Sequence, residues 1–200
     1  KNNIVITSFA WKMAERVLLQ GLAVVVQVIL ARLLMPSDFA AVALINAVIH
    51  YLGLFVQSGL STVVVQKKEL DNKDISTLMT YSLCTATLLY ISIFFLAPLL
   101  SNYYNVGDLI LPIRVAALSL FLYSFNSIQT GILSRQMRFR TIFFLSIVAM
   151  PIAAVIAITM AFCGMGIWAL ICNTLLNILL TVIIMNTMPE LRIKLGFSFI

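Results

Sequence analysis

The sequence predicts an all-α integral membrane protein of six transmembrane helices, and three observations predict it. The first is composition. Of the 200 residues, 62% are apolar and 10% charged, against roughly 45–50% and 25% in soluble domains. A soluble fold of this size has too little interior to hide that much apolar surface, so the bilayer is its solvent. The second is length: six apolar runs each approach or exceed the ~20 residues that cross about 30 Å of hydrocarbon. The third is a strict alternation of basic charge between the breaks.

The runs are Val17–Leu34, Phe39–Val65, Ile75–Leu100, Leu109–Leu133, Thr141–Phe162 and Ile167–Met188. Met35-Pro36-Ser37-Asp38 stops the first helix and caps the second. Lys67-Lys68-Glu69-Leu70-Asp71-Asn72-Lys73-Asp74 is a solvated charged loop before the third, and Ser101–Asp108 a polar one, with Gly107, before the fourth. The basic stretch Arg135–Arg140 precedes the fifth helix, in which mid-span Pro151 predicts a kink. Cys163-Gly164-Met165-Gly166 is a tight turn into the sixth. Pro98 and Pro112 lie near helix ends and shape them. Trp11, Trp168, Tyr103 and Tyr104 sit where interfacial aromatic belts form.

With a cytoplasmic N-terminus, the inside segments hold Lys1, Lys12, Arg16, Lys67, Lys68, Lys73, Arg135, Arg138, Arg140, Arg192 and Lys194. The outside segments hold Arg32 and Arg114 alone. Eleven against two satisfies the positive-inside rule and places both termini of this segment in the cytoplasm. One missed or invented span would scramble the alternation.

The same placement excludes nucleic acid as a partner despite a net charge of +6, because phosphate recognition needs clustered basic contacts. Cys84, Cys163 and Cys172 lie in or beside apolar runs, with no CxxC spacing, and read as small hydrophobes and not as metal or disulfide positions. Paired carboxylates, nucleophile–base sets, phosphate loops and metal-ligand clusters are missing, so neither an enzyme nor a cofactor is expected. A membrane glycan polymerase or ligase would need a large outer loop, and the outer loops are short.

Within the spans, polar residues recur at steps of 4, 7 and 11, which keeps them within about 60° on one helix face. The first helix carries Arg16, Gln20, Ala23 and Gln27, and the second Asn46, His50, Gly53 and Gln57. The fourth carries Ser119, Tyr123, Asn126 and Thr130, and the sixth Asn173, Asn177 and Thr181. Two readings stand: interhelical hydrogen bonding in a packed bundle, or a shared hydrated cavity bounded by these four helices, with the third and fifth turned to lipid. The cavity is the reading adopted. Arg16 either meets an anionic headgroup or snorkels. Arg32 either joins the cavity or pairs with Asp38 across the turn, and Arg114 is an interfacial anchor. His50, the lone histidine, is either a hydrogen-bonded structural residue or a proton-coupling one.

Ala31-Arg32-Leu33-Leu34-Met35-Pro36-Ser37-Asp38-Phe39 resembles the turn after the first helix of Wzx-type polysaccharide-export flippases. Gln57-Ser58-Gly59-Leu60-Ser61 through Val65-Gln66-Lys67-Lys68, then Asp74-Ile75-Ser76-Thr77, are similar to that family's end of the second helix and start of the third. Arg135-Gln136-Met137-Arg138-Phe139 is similar to its fourth loop, and Gly164-Met165-Gly166-Ile167-Trp168-Ala169-Leu170 to its entry to the sixth helix. The matches are in order across nearly the whole chain. Ala40 replaces a usual glycine, and Gln57 stands where many members carry an acid.

The resemblance implies a six-helix lobe of a V-shaped transporter in the multidrug/oligosaccharidyl-lipid/polysaccharide exporter superfamily, working by alternating access. The cargo it implies is oligosaccharide on undecaprenyl pyrophosphate, crossing the bacterial inner membrane for O-antigen, capsule or exopolysaccharide assembly. Arg16 and Arg32 are its candidates for the pyrophosphate. No cofactor is expected, the choice of a proton or sodium gradient as the drive stays open, and the polysaccharide polymerase machinery is a candidate partner. Family members are roughly twice this length, so a C-terminal lobe is expected beyond this one. The alternatives are a cation-coupled multidrug exporter and a non-transporting truncated subunit.

Overall fold

The computed structural model of the chain describes residues 2–57, 64, 72–104 and 109–187. Lys67, Lys68, the 105–108 stretch, Arg192, Lys194 and the last residue of the sixth predicted span lie outside the described residues, as does most of 58–65. So do the side chains of Trp11, Lys12, Glu15, Lys73, Tyr103 and Tyr104.

Among the described residues the chain is helical throughout. The helices are α1 (Asn2–Leu33), α2 (Pro36–Gln57), α3 (Asn72–Tyr104), α4 (Ile110–Ala117), α5 (Ser119–Arg135), α6 (Phe139–Phe162) and α7 (Ile167–Thr187). They provide six stretches long and apolar enough to cross a membrane, with α4 and α5 together forming the fourth. Pro36 opens α2, where its missing N–H is harmless, and Asp38 in the first turn faces the positive end of the helix dipole. At 32 and 33 residues, α1 and α3 are each about 50 Å long and outreach the hydrocarbon.

Two helix ends explain the sharp reversals. At the end of α6, Gly164 (φ 75°) gives its N–H to Ala161 O, and Met165 gives its own to Met160 O. At the end of α5, Met137 (φ 56°) and Arg138 bond Ser134 O and Leu133 O in the same pattern. Both are Schellman closures, which satisfy the last helix carbonyls through one left-handed residue. The second uses methionine where glycine is usual.

The fourth span is interrupted at Leu118, where bonds tighten to Leu118 N–H→Val115 O and Phe121 N–H→Leu118 O. Ser119 Oγ donates to Ala116 O at 2.7 Å and occupies a carbonyl that the helix would otherwise use. No proline marks this break. The fifth span, by contrast, runs as a continuous helix through Pro151.

The helices pack as a chain of neighbours. α1 lies mainly on α6, α6 most extensively on α7, and α7 on α5, α2 and α4, with α3 on the far side against α4 and α5. Ala149, Ala153, Ala157 and Ala161 step by four along α6 and are all buried. Small residues matter here because lipid gives helices no hydrophobic reason to associate, so close backbone contact must supply it. The core joins Ile45, Ile49 and Val56 of α2 to Ala86, Ile93 and Ala97 of α3 and to Ile113 and Leu120. Where α2 meets α3 and α4, packing leaves only about 10 Å³ between Ile45, Ile49, Leu100, Leu109 and Ile113. The turns at 34–35 and 163–166 lie together at one end of the bundle. The opposite end bears the 136–138 turn, where Arg135 Nη1 donates to Val64 O at 3.2 Å.

Candidate functional site

Polar side chains in the spans include an exposed set and a set lining a cavity. The exposed set lies on α1 and on α2, two helices that do not pack closely on each other. Arg16, Gln20, Gln27 and Arg32 are exposed along α1, and Asn46 and His50 along α2. Asn46 and His50 stand about 15 and 21 Å along α2 from Pro36, the middle of a bilayer-spanning helix. A side-chain amide or imidazole set against acyl chains there costs several kcal/mol. His50 touches Tyr51 edge-on, with ring centroids 6.4 Å apart, and has no hydrogen-bond partner among the described residues. The α2 stripe closes at Gly53, where the Tyr123 ring packs so tightly that a Cβ would lie 3.2 Å from it. Gln57 follows, half-buried.

The cavity measures about 290 Å³ and lies between α1, α5, α6 and α7. α5 contributes Asn126 and Thr130, α6 contributes Ile142, Ser146 and Met150, and α7 contributes Asn177, Ile178, Thr181 and Met185. α1 adds only Leu19. Among the described residues no lining residue is charged. Thr130 Oγ1 donates to Asn126 Oδ1 at 3.3 Å, and Thr181 Oγ1 donates to Asn177 O at 2.8 Å. The Asn126 NH2 and the Asn177 side-chain amide have no protein partner among the described residues. Asn173, one turn away on α7, is half-buried and outside the lining.

This arrangement differs from the predicted cavity shared by four helices. The structure brings Asn126 and Asn177 together but leaves Arg16, Gln20, Gln27, Arg32, Asn46, His50 and Gln57 away from them. The fifth span is not simply lipid-facing: Phe144, Val148 and Val155 are exposed, but Ser146 enters the cavity. Its signal in the sequence was one hydroxyl amid apolar residues, too slight to register as a stripe.

The charged positions also differ from expectation. Arg32 is exposed and makes no ion pair with Asp38. The Asp38 carboxylate instead abuts Gly166 (φ 50°), where a Cβ would lie 3.3 Å from Oδ2. That contact joins the α1–α2 turn to the α6–α7 turn. Arg114 is more than an interfacial anchor. Pro98 has no N–H for the carbonyl of Phe94 four residues before it. Arg114 Nη2 donates to that oxygen at 3.3 Å, and its guanidinium carbon lies 3.7 Å from the Phe94 ring centroid. One side chain thus repairs the α3 ladder and clamps α4 to α3. On the other side of the bundle, fully buried Gln129 donates from Nε2 to Asn186 Oδ1 at 2.9 Å, tying α5 to α7.

Fold and site define a multi-pass helical membrane protein that carries polar surface inside the bilayer. The chain belongs to the polysaccharide biosynthesis protein family, which matches residues 29–200. The match begins just before the Ala31–Phe39 turn and agrees with the resemblance seen there. The chain is also similar to the succinoglycan biosynthesis transport protein ExoT of Rhizobium meliloti (strain 1021), 26% identical over 169 residues. That alignment covers 84% of this chain and 34% of the relative, so the chain spans about a third of the relative's length. No solved structure matches.

Proposed function

We propose that this chain is a six-helix lobe of a flippase that moves undecaprenyl-pyrophosphate-linked oligosaccharide from the cytoplasmic to the periplasmic leaflet of the inner membrane. It does so by alternating access against a second lobe, with both termini of this segment cytoplasmic, and it performs no covalent chemistry. The observation that carries the reading is the exposure of polar side chains within the membrane spans of α1 and α2. Gln20, Gln27, Asn46 and His50 are exposed at depths where lipid cannot solvate them, so water, cargo or the second lobe must meet them. Arg16 and Arg32, at opposite ends of the membrane span of α1, are the cations this lobe offers a pyrophosphate on either side of the bilayer. Family membership and the transport relative support polysaccharide precursors as cargo over drugs.

The test is Arg16→Ala, Gln20→Ala and His50→Leu, made singly in the full-length protein. Surface polysaccharide falls several-fold while the amount of protein in the membrane stays unchanged. Normal polymer in all three variants refutes the assignment of these side chains, and altered drug resistance with normal polymer points to a drug exporter.

A further inference from the structure

We propose that the cavity between α5, α6 and α7 is a sugar-binding pocket that takes one uncharged glycosyl unit of the cargo, apart from its pyrophosphate. The proposal rests on the flippase reading and gives it a recognition element.

The chemistry of the walls selects the ligand class. At about 290 Å³ the cavity is at the small end of ligand pockets, with room for roughly ten waters at about 30 Å³ each. A single structural water would leave most of it empty. Among the described residues no cation lines it, so a phosphate there would meet no counter-charge from them, which is strongly unfavourable. An acyl chain is equally unsuited, because it would leave the amides of Asn126 and Asn177 unsatisfied. What remains is a neutral group rich in paired donors and acceptors.

A pyranose ring has that character. Each of its hydroxyls both gives and accepts, and a vicinal pair matches the donor and acceptor of one carboxamide. Thr130 already donates to Asn126 Oδ1, which fixes the amide and leaves its NH2 for a ligand. Ser146 and Asn177 add further partners, while Ile142 and Ile178 offer apolar surface to the C–H faces of the ring. Asn126, Ser146 and Asn177 are half-buried and so remain reachable. Ser146 lies about 10 Å along α6 from Phe139, toward the end bearing the basic 136–138 turn. In the proposed orientation that is the cytoplasmic side, where cargo is loaded.

The experiment labels Ser146→Cys and Gln27→Cys with a water-soluble maleimide, each in the full-length protein with Cys84, Cys163 and Cys172 replaced by alanine. Two probes compete for protection: the glycan-bearing lipid extracted from the host membrane, and sugarless undecaprenyl pyrophosphate. The expected result is labelling of the Ser146→Cys thiol that the glycan-bearing lipid blocks and the sugarless lipid does not. Adding Asn126→Leu or Asn177→Leu raises the lipid concentration for half-protection about ten- to a hundredfold, the loss of one buried hydrogen-bond set. No labelling, no protection, or equal protection by both lipids overturns the pocket. Gln27→Cys separates the two claims. Protection there without glycan-dependent protection at Ser146→Cys sinks the pocket alone. No protection at either thiol sinks the flippase reading as well.

Discussion

Arg114 and Pro98 form a coupled pair that a double-mutant cycle can expose. Arg114→Ala removes a 3.3 Å hydrogen bond and a guanidinium 3.7 Å from the Phe94 centroid. Interhelical hydrogen bonds in membranes are worth about 0.6 kcal/mol on average, and this one is longer than the usual N–H···O distance. A half-buried cation–π contact adds about 1 kcal/mol. The Phe94 carbonyl then loses its replacement donor at a further cost of about 1 kcal/mol or more. Against these stands relief of the buried Arg114 Nε, which has no partner. A net destabilisation of about 1–2 kcal/mol is expected. In a Pro98→Ala background the new N–H at position 98 satisfies Phe94 O directly, so Arg114→Ala becomes cheaper by about 1 kcal/mol. Denaturant titration of the four proteins in detergent micelles reads the coupling. Additivity to within about 0.3 kcal/mol would show that Arg114 does not stand in for the proline's missing donor.

Met137 occupies the left-handed position of a Schellman closure, so Met137→Gly stabilises the protein by about 1 kcal/mol, read as a rise in thermal midpoint in micelles. Gly164→Ala, at the equivalent position after α6 with open space around it, costs about the same amount. Gly166→Ala costs more than Gly164→Ala, because its Cβ also crowds Asp38 Oδ2. Asp38→Ala in the same background should remove that excess. An excess that persists would mean that backbone strain alone sets the penalty.

The six spans were legible because hydropathy and loop charge depend on composition along the chain, and both survive whatever the helices do in three dimensions. The start of α2 was legible for a similarly local reason, since Pro36 and Asp38 act on the helix they begin. The break at Leu118 was not, because it depends on the Ser119 hydroxyl choosing Ala116 O over solvent or a neighbour. Periodicity says which residues share a face, but not which helix that face meets. Asn126 and Asn177 meet across the cavity, whereas Gln20 and His50, equally periodic, lie on the outside of the bundle. Ser146 escaped notice because one hydroxyl has no period. Arg114 was misjudged for a related reason: its partner carbonyl is freed by a proline on another helix.

The Asp38–Gly166 contact ties two turns that are far apart in sequence, at one end of the bundle. The other end contains the 290 Å³ hollow. The tie gives the two hairpins a common anchor, so a change in the angle between α1 and α2 is passed directly to the turn between α6 and α7.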